Sequence, residues 1–175
     1  MKTGLNQCIN TNYKFVMDYI CLPIIGVEKN HKTGNINLMK LETEYRVIYG
    51  DTDQMGVVYN SNYLRMFERG RNEYFRQLNF SYRDLEKRKN ILMPVVESYC
   101  KYIKAAEYDD LLTIVTEVVD FSRVKMKFNY EIKREKDLIT KGYTLHTFMK
   151  NQKIHKLDKK LYSHIKNILS QNNEN

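Results

Sequence analysis

Two aspartates stand one residue apart in the stretch YRVIYGDTDQMGVVYNSNYLRMFERGRNEYFRQL, residues 45–78. Asp51 and Asp53 are followed by Gly56, the apolar pair Val57 and Val58, and the polar and aromatic run Tyr59, Asn60, Ser61, Asn62, Tyr63. Two kinds of task suit acids in this setting. A carboxylate accepts backbone N–H groups at a turn or ahead of a helix, which is structural. A carboxylate near a helix start also serves as a general base or nucleophile, while the unpaired N–H groups of the first turn polarise a carbonyl beside it. Spacing alone leaves both open. Other chemistries fit less well. His146, His155 and His164 lie far along the chain at no ligand spacing, so neither a metal nor a cofactor is expected. There is no G-x-S-x-G and no histidine placed as a base, so a serine triad is unsupported. Cys8, Cys21 and Cys100 are odd in number, have no metal-like spacing, and read as thiols of a reducing, cytoplasmic compartment.

The acids sit where one kind of element gives way to another. LETEYRVIY, Leu41–Tyr49, mixes alternation with β-branched and aromatic residues and predicts a strand that Gly50 ends. From about Asn62 the period becomes helical, with Tyr63, Leu64, Phe67, Gly70, Arg71, Tyr74, Phe75 and Leu78 on one broad stripe. Gly70 within it permits close packing on a neighbour. Ser81 followed by Asp84 resembles a capping box that opens a second, short helix. Four strands are then expected, in MPVVESYCKYIK, LLTIVTEVVD, VKMKFNYEIK and LITKGYTLHTFMK. The third alternates strictly, with Val124, Met126, Phe128, Tyr130 and Ile132 on one face. Short connections predict an antiparallel meander, and the whole an α+β domain in which helix and sheet bury each other.

The 175 residues, 42% of them hydrophobic, suit one domain with one core. Residues 1–38 are poorly patterned and read as an N-terminal extension. Their apolar run FVMDYICLPIIGV is too short to span a bilayer, so no membrane span is expected. It follows a polar start without a clear cleavage pattern, which argues against a signal peptide. The tail 151–175 is basic, with Leu161, Ile165 and Ile168 or Leu169 on one helical face. The formal charge of +8 falls to +2 over residues 39–149. The basic excess therefore lies at the ends, where a charge run is commonly a solvated helix, and nucleic acid is not the expected partner.

These motifs resemble the hotdog-fold acyl-CoA thioesterases of the 4-hydroxybenzoyl-CoA thioesterase type. That family opens with a strand, a D-T-D-x-x-G-V-V-Y turn and a long helix beginning near N-Y. MPVVESYCKYIKAAEYDDLLTIVTEV is similar to the family's second strand, its Y-D-D turn and its third strand. The resemblance runs from about Lys40 to Lys150 and marks residues 39–150 as the domain. It implies an antiparallel sheet wrapped around a long helix, a homodimer or dimer of dimers with active sites between subunits, and hydrolysis of acyl-CoA to a carboxylic acid and CoA.

By the same comparison the catalytic carboxylate falls on Asp53, while Asp51 braces the turn. Asp53 acts as general base or attacks the thioester itself, and the resemblance does not choose between them. Oxyanion donors are sought at Gly56, Val57 and Val58, or at the helix start after Ser81. Asn60 is placed to bond the carbonyl or the water, and Tyr59, Tyr63 and Phe67 to shape the acyl pocket or simply pack. Many relatives carry histidine at position 60, while another branch carries HVNN with asparagine there. Lys101, Lys104, Arg123 and Lys125 stand in or beside strands that the family uses around the nucleotide of CoA. Two other readings share the fold: a non-catalytic binder of acyl-CoA or acyl-carrier protein, and a hydratase or dehydratase. The second wants a histidine beside its acid, and residues 41–90 contain none.

Overall fold

The computed structural model describes residues 40–170, so the expectations for residues 1–38 lie outside the described part. Strand β1 (Lys40–Arg46) leads through a short 3-10 turn at Tyr49–Asp51 to helix α1 (Asn62–Gln77) and helix α2 (Tyr82–Lys89). Four strands follow: β2 (Val95–Tyr102), β3 (Leu111–Phe121), β4 (Lys125–Arg134) and β5 (Asp137–Thr147). A small hairpin of β6 (Met149–Lys150) and β7 (Lys153–Ile154) precedes helix α3 (Lys159–Ser170).

The main sheet is antiparallel, in the order β1-β3-β4-β5-β2. Three of the four later strands form the expected meander, but β2 does not lie beside β3. It pairs with β5 at the far edge, Tyr99 opposite Tyr143 and Tyr102 opposite Thr140. The chain then returns along one end of the sheet through residues 103–110. That connection is tied to β5 by Ile103 and Lys104, whose N–H groups donate to Ile139 O, and to the end of β1 by Asp109 N donating to Val47 O. The α+β fold is therefore as expected, with one strand relocated.

Helix α1 lies on one face of the sheet, in contact with β1, β3 and β4. Its buried stripe is Tyr63, Met66, Phe67, Gly70, Tyr74 and Phe75. Leu64, expected on that stripe, is exposed, and Met66 takes the inward position. Gly70 permits the close approach: a Cβ there would meet Thr116 Oγ1 at 2.5 Å and Ile114 Cγ2 at 2.7 Å. The Phe67 ring stacks on Tyr130 with centroids 4.4 Å apart and also covers Gly142. At β4, Met126, Phe128, Tyr130 and Ile132 point into the core as their alternation predicts, whereas Val124 precedes the strand and is exposed. Ser81 Oγ accepts from Asp84 N at 3.2 Å and so caps α2. Helix α3 is not a free solvated tail. It buries Leu161, Ile165 and Leu169, and its Tyr162 ring stacks on Phe121 at 5.0 Å.

Candidate active site

The predicted strand Leu41–Tyr49 stops at Arg46, because the 3-10 turn takes over at Tyr49. That turn folds the first aspartate inward. Asp51 is buried and accepts from the Tyr45 hydroxyl at 2.5 Å and from Ile48 N at 3.1 Å through Oδ2. Its backbone carbonyl accepts from Tyr59 N at 2.9 Å and from the buried Asn62 side chain at 2.8 Å. Burial, then the Asp51 carboxylate at its oxygen, pushes the Tyr45 phenol up to about 12. Asp51 thus ties β1, the turn and the start of α1 into one knot.

Asp53 has a different environment. It opens a tight turn in which Gly56 N donates to Asp53 O at 2.9 Å, and Asp53 N donates to Val57 O at 3.0 Å. Gly56 has φ +76°, a left-handed conformation that suits glycine. The half-buried Asp53 accepts from Met55 N at 2.8 Å through Oδ1. Its second carboxylate oxygen has no partner among the described residues. One oxygen is therefore held by the turn, and the other is unbonded among the described residues.

Of the expected donors, Gly56 N is taken by Asp53 O and Val58 N by Ala106 O at 2.8 Å, while Val57 N has no acceptor among the described residues. At the helix start after Ser81, Asp84 N is taken by the Ser81 cap. Ser61, the residue before α1, makes no side-chain capping bond. The N–H groups of Asn60 and Ser61, just ahead of the helix, also have no acceptor among the described residues. A helix start with open donors is suited to an oxyanion. No side-chain pattern marks such donors in a sequence; only the backbone hydrogen-bond pattern of the fold shows them.

The other expected residues divide into two groups. Tyr59 and Asn60 are exposed beside the Asp53 turn, Val57 is half-buried, and Val58 and Tyr63 are buried beneath it. The Tyr63 ring meets Tyr102 of β2 at 5.4 Å, and the Tyr102 hydroxyl donates to Asn60 O at 3.1 Å. Edge strand β2 is thereby joined to the helix start. Burial pushes the Cys100 thiol up, which keeps it protonated and makes it a poor nucleophile. Lys101 and Lys104 stand at this same end of the sheet, with Lys104 paired to Asp137 at 2.6 Å. Arg123 and Lys125 lie at the opposite end, and the chain does not bring them to Asp53. Arg123 Nε donates to Leu157 O at 2.6 Å, and Lys125 pairs with Asp120 at 2.7 Å. Glu97 is exposed on the sheet's outer face, where it accepts from the Tyr143 hydroxyl. Among the described residues no three His, Cys, Asp or Glu side chains cluster as a metal site.

Comparison with known proteins places the chain in a family. Residues 47–165 match the thioesterase-like superfamily. A protein of Aquifex aeolicus named as an esterase is 33% identical over 123 residues, covering 69% of this chain and 94% of its own length. The acyl-CoA thioesterase YbgC of Haemophilus influenzae is 38% identical over 97 residues, covering 55% of this chain and 71% of its own. The structure of DHNA-CoA thioesterase from Staphylococcus aureus superposes with a TM-score of 0.66 at 33% identity, over 73% of this chain and 87% of that one. The chain belongs to the thioesterase-like superfamily, among the hotdog-fold acyl-CoA thioesterases.

Proposed function

We propose that the protein hydrolyses acyl-CoA thioesters with Asp53 as the reacting carboxylate. The observation that carries this reading is the pairing of a half-buried Asp53, with one oxygen unbonded among the described residues, and a helix start whose Asn60 and Ser61 N–H groups have no acceptor there. In the general-base route, Asp53 takes a proton from water as the water oxygen attacks the thioester carbon. Asn60 and Ser61 N–H groups receive the oxyanion, and the tetrahedral intermediate collapses with loss of CoA as a thiol. In the covalent route, Asp53 attacks first, CoA leaves, and water cleaves the resulting mixed anhydride. Tyr59 and Tyr63 line the acyl side. Lys101 and Lys104 are positioned to meet the phosphates of CoA.

A second copy completes the site. The edge of β2, unpaired among the described residues, runs beside it, and Tyr59, Leu64, Tyr99, Tyr102 and Ile103 expose apolar surface there. An uncovered strand edge with apolar neighbours is covered by pairing, here in a homodimer. The test is a panel of acyl-CoAs with a reagent that reports free thiol. Thiol release with an acyl preference is the expected result. Tight binding of CoA esters without release would make the protein a binder instead, and hydration of an enoyl-CoA would make it a hydratase.

A further inference from the structure

Charge is spread unevenly over the fold. Segments 82–92 and 149–166 hold ten lysines and arginines against three acids, within a chain of formal charge +8. The structure joins these segments. Asn90, the left-handed residue that ends α2, donates from Nδ2 to Asn151 Oδ1 at 3.0 Å, in the loop of the β6–β7 hairpin. Leu92 and Met149 exchange backbone hydrogen bonds of 2.9 Å in both directions. Asp158 accepts from Leu161 N at 2.8 Å at the start of α3, and the Lys89 charge acts on it from α2. The last turn of α2, the hairpin and the first turn of α3 therefore form one surface. Arg88 is tied to Asp84 at 3.2 Å. Lys87, Lys89, Lys153, Lys156, Lys159 and Lys160 are exposed and have no ion pair among the described residues.

Lysines alone suit any polyanion. Two aliphatic side chains among them narrow the choice. Ile154 of the hairpin is 71% exposed, and Leu92, across Met149 from it, is 48% exposed. Tyr82 and Tyr162, the aromatic residues of the two segments apart from histidine, are half-buried and engaged with Phe75 and Phe121, so no exposed ring is offered for stacking on bases. Lysines around an exposed aliphatic tip match an anionic bilayer, whose surface attracts the cations while the tip enters the headgroup layer. No described helix is long and apolar enough to cross a membrane, so the contact is peripheral.

We propose that this surface docks the protein on anionic phospholipid, with Ile154 at headgroup depth and the lysines over lipid phosphates. The surface follows the Thr147 end of β5, whereas the Asp53 turn adjoins the connection at the other end of the sheet. One 11-residue strand, roughly 35 Å, separates them. Docking therefore leaves the reacting carboxylate uncovered.

Vesicle flotation of the full chain tests this. The protein is expected to float with phosphatidylcholine vesicles that contain phosphatidylglycerol and not with phosphatidylcholine alone, and salt should weaken the association. Lys87→Glu, Lys89→Glu and Lys153→Glu together should reduce partition on the order of 100-fold. Ile154→Ser should remove the part of the binding that survives high salt. Both variants should keep the parent melting temperature and thioester hydrolysis, because their residues stand outside the site. The proposal is overturned if the parent ignores anionic vesicles, floats equally with neutral ones, or loses nothing with either variant. It is also overturned if single-stranded RNA binds this surface while vesicles do not.

Discussion

The Asp51 carboxylate accepts two hydrogen bonds at the protein interior, and the Asp53 carboxylate accepts one from the turn it opens. This difference supports the proposal that Asp51 braces the turn and Asp53 reacts, though spacing offered both roles to both residues. Asp51→Asn removes the charge that Tyr45 and Ile48 bond. Stability should fall by about 1–2 kcal/mol, with kcat retained in molecules that stay folded; thermal melting and turnover of the same sample check this. His146 gives a second prediction at this scale. It is fully buried, with Nδ1 3.1 Å from Met93 O and Nε2 2.8 Å from Thr144 Oγ1. A carbonyl only accepts, so Nδ1 donates to Met93 O and Nε2 accepts from Thr144. Thr144 in turn bonds Tyr130 at 2.8 Å, whose hydroxyl accepts from Arg71 Nη1 at 3.4 Å. Burial, then the Arg71 charge, lowers the His146 pKa from 6.5 to about 4. The unfolded chain thus takes up this proton first on acidification. Stability from neutral His146 is complete above about pH 6.5 and declines as pH falls toward 4. The loss is on the order of 3 kcal/mol. Melting temperature against pH should slope less over this window in His146→Gln, and equal slopes would contradict the assignment.

At the scale of elements, two glycines contrast a close approach of strands with open space. A Cβ on Gly142 would meet the Tyr99 carbonyl oxygen at 2.1 Å, whereas one on Gly50 would meet nothing within 4 Å. Gly142→Ala should therefore push β2 off β5 and cost about 1–3 kcal/mol or more. Gly50→Ala should be close to neutral, within about 0.5 kcal/mol. Chemical denaturation of the pair checks both. The elements themselves were largely legible. Strict alternation marked β4, the three-and-four spacing marked α1, and Ser81 with Asp84 marked the α2 cap. What alternation does not encode is which strands become neighbours, and so β2 was placed beside β3 when it lies beside β5. Leu64 and Met66 flank the buried stripe of α1 on opposite sides, and only the helix phase set by Gly70 against Thr116 and Ile114 decides between them. The Asp53 turn was legible through its side chains. The donors at Asn60 and Ser61 were not, because a backbone N–H is common to nearly every residue.

At the scale of the molecule, the β2 edge adjoins the start of α1 beside the Asp53 turn, through the bond from Tyr102 to Asn60 O. The β2 edge, the apolar residues beside it and the Asp53 turn together define the surface that a second copy would cover. Activity should therefore require the dimer. Light scattering at assay concentrations should show a dimer or a dimer of dimers, and specific activity should fall on dilution into monomer. A fully active monomer would contradict this account.

The account rests above all on Asp53. Its most direct test is free-thiol release from one acyl-CoA by the parent and by Asp53→Asn, with melting temperatures measured alongside. Asparagine keeps an oxygen for Met55 N and nearly the same shape, but loses the charge and the basicity. Turnover is predicted to fall by about 10²-fold or more, the typical share of one acid–base group, with melting temperature and substrate binding little changed. A folded Asp53→Asn protein with near-parental kcat would contradict the mechanism.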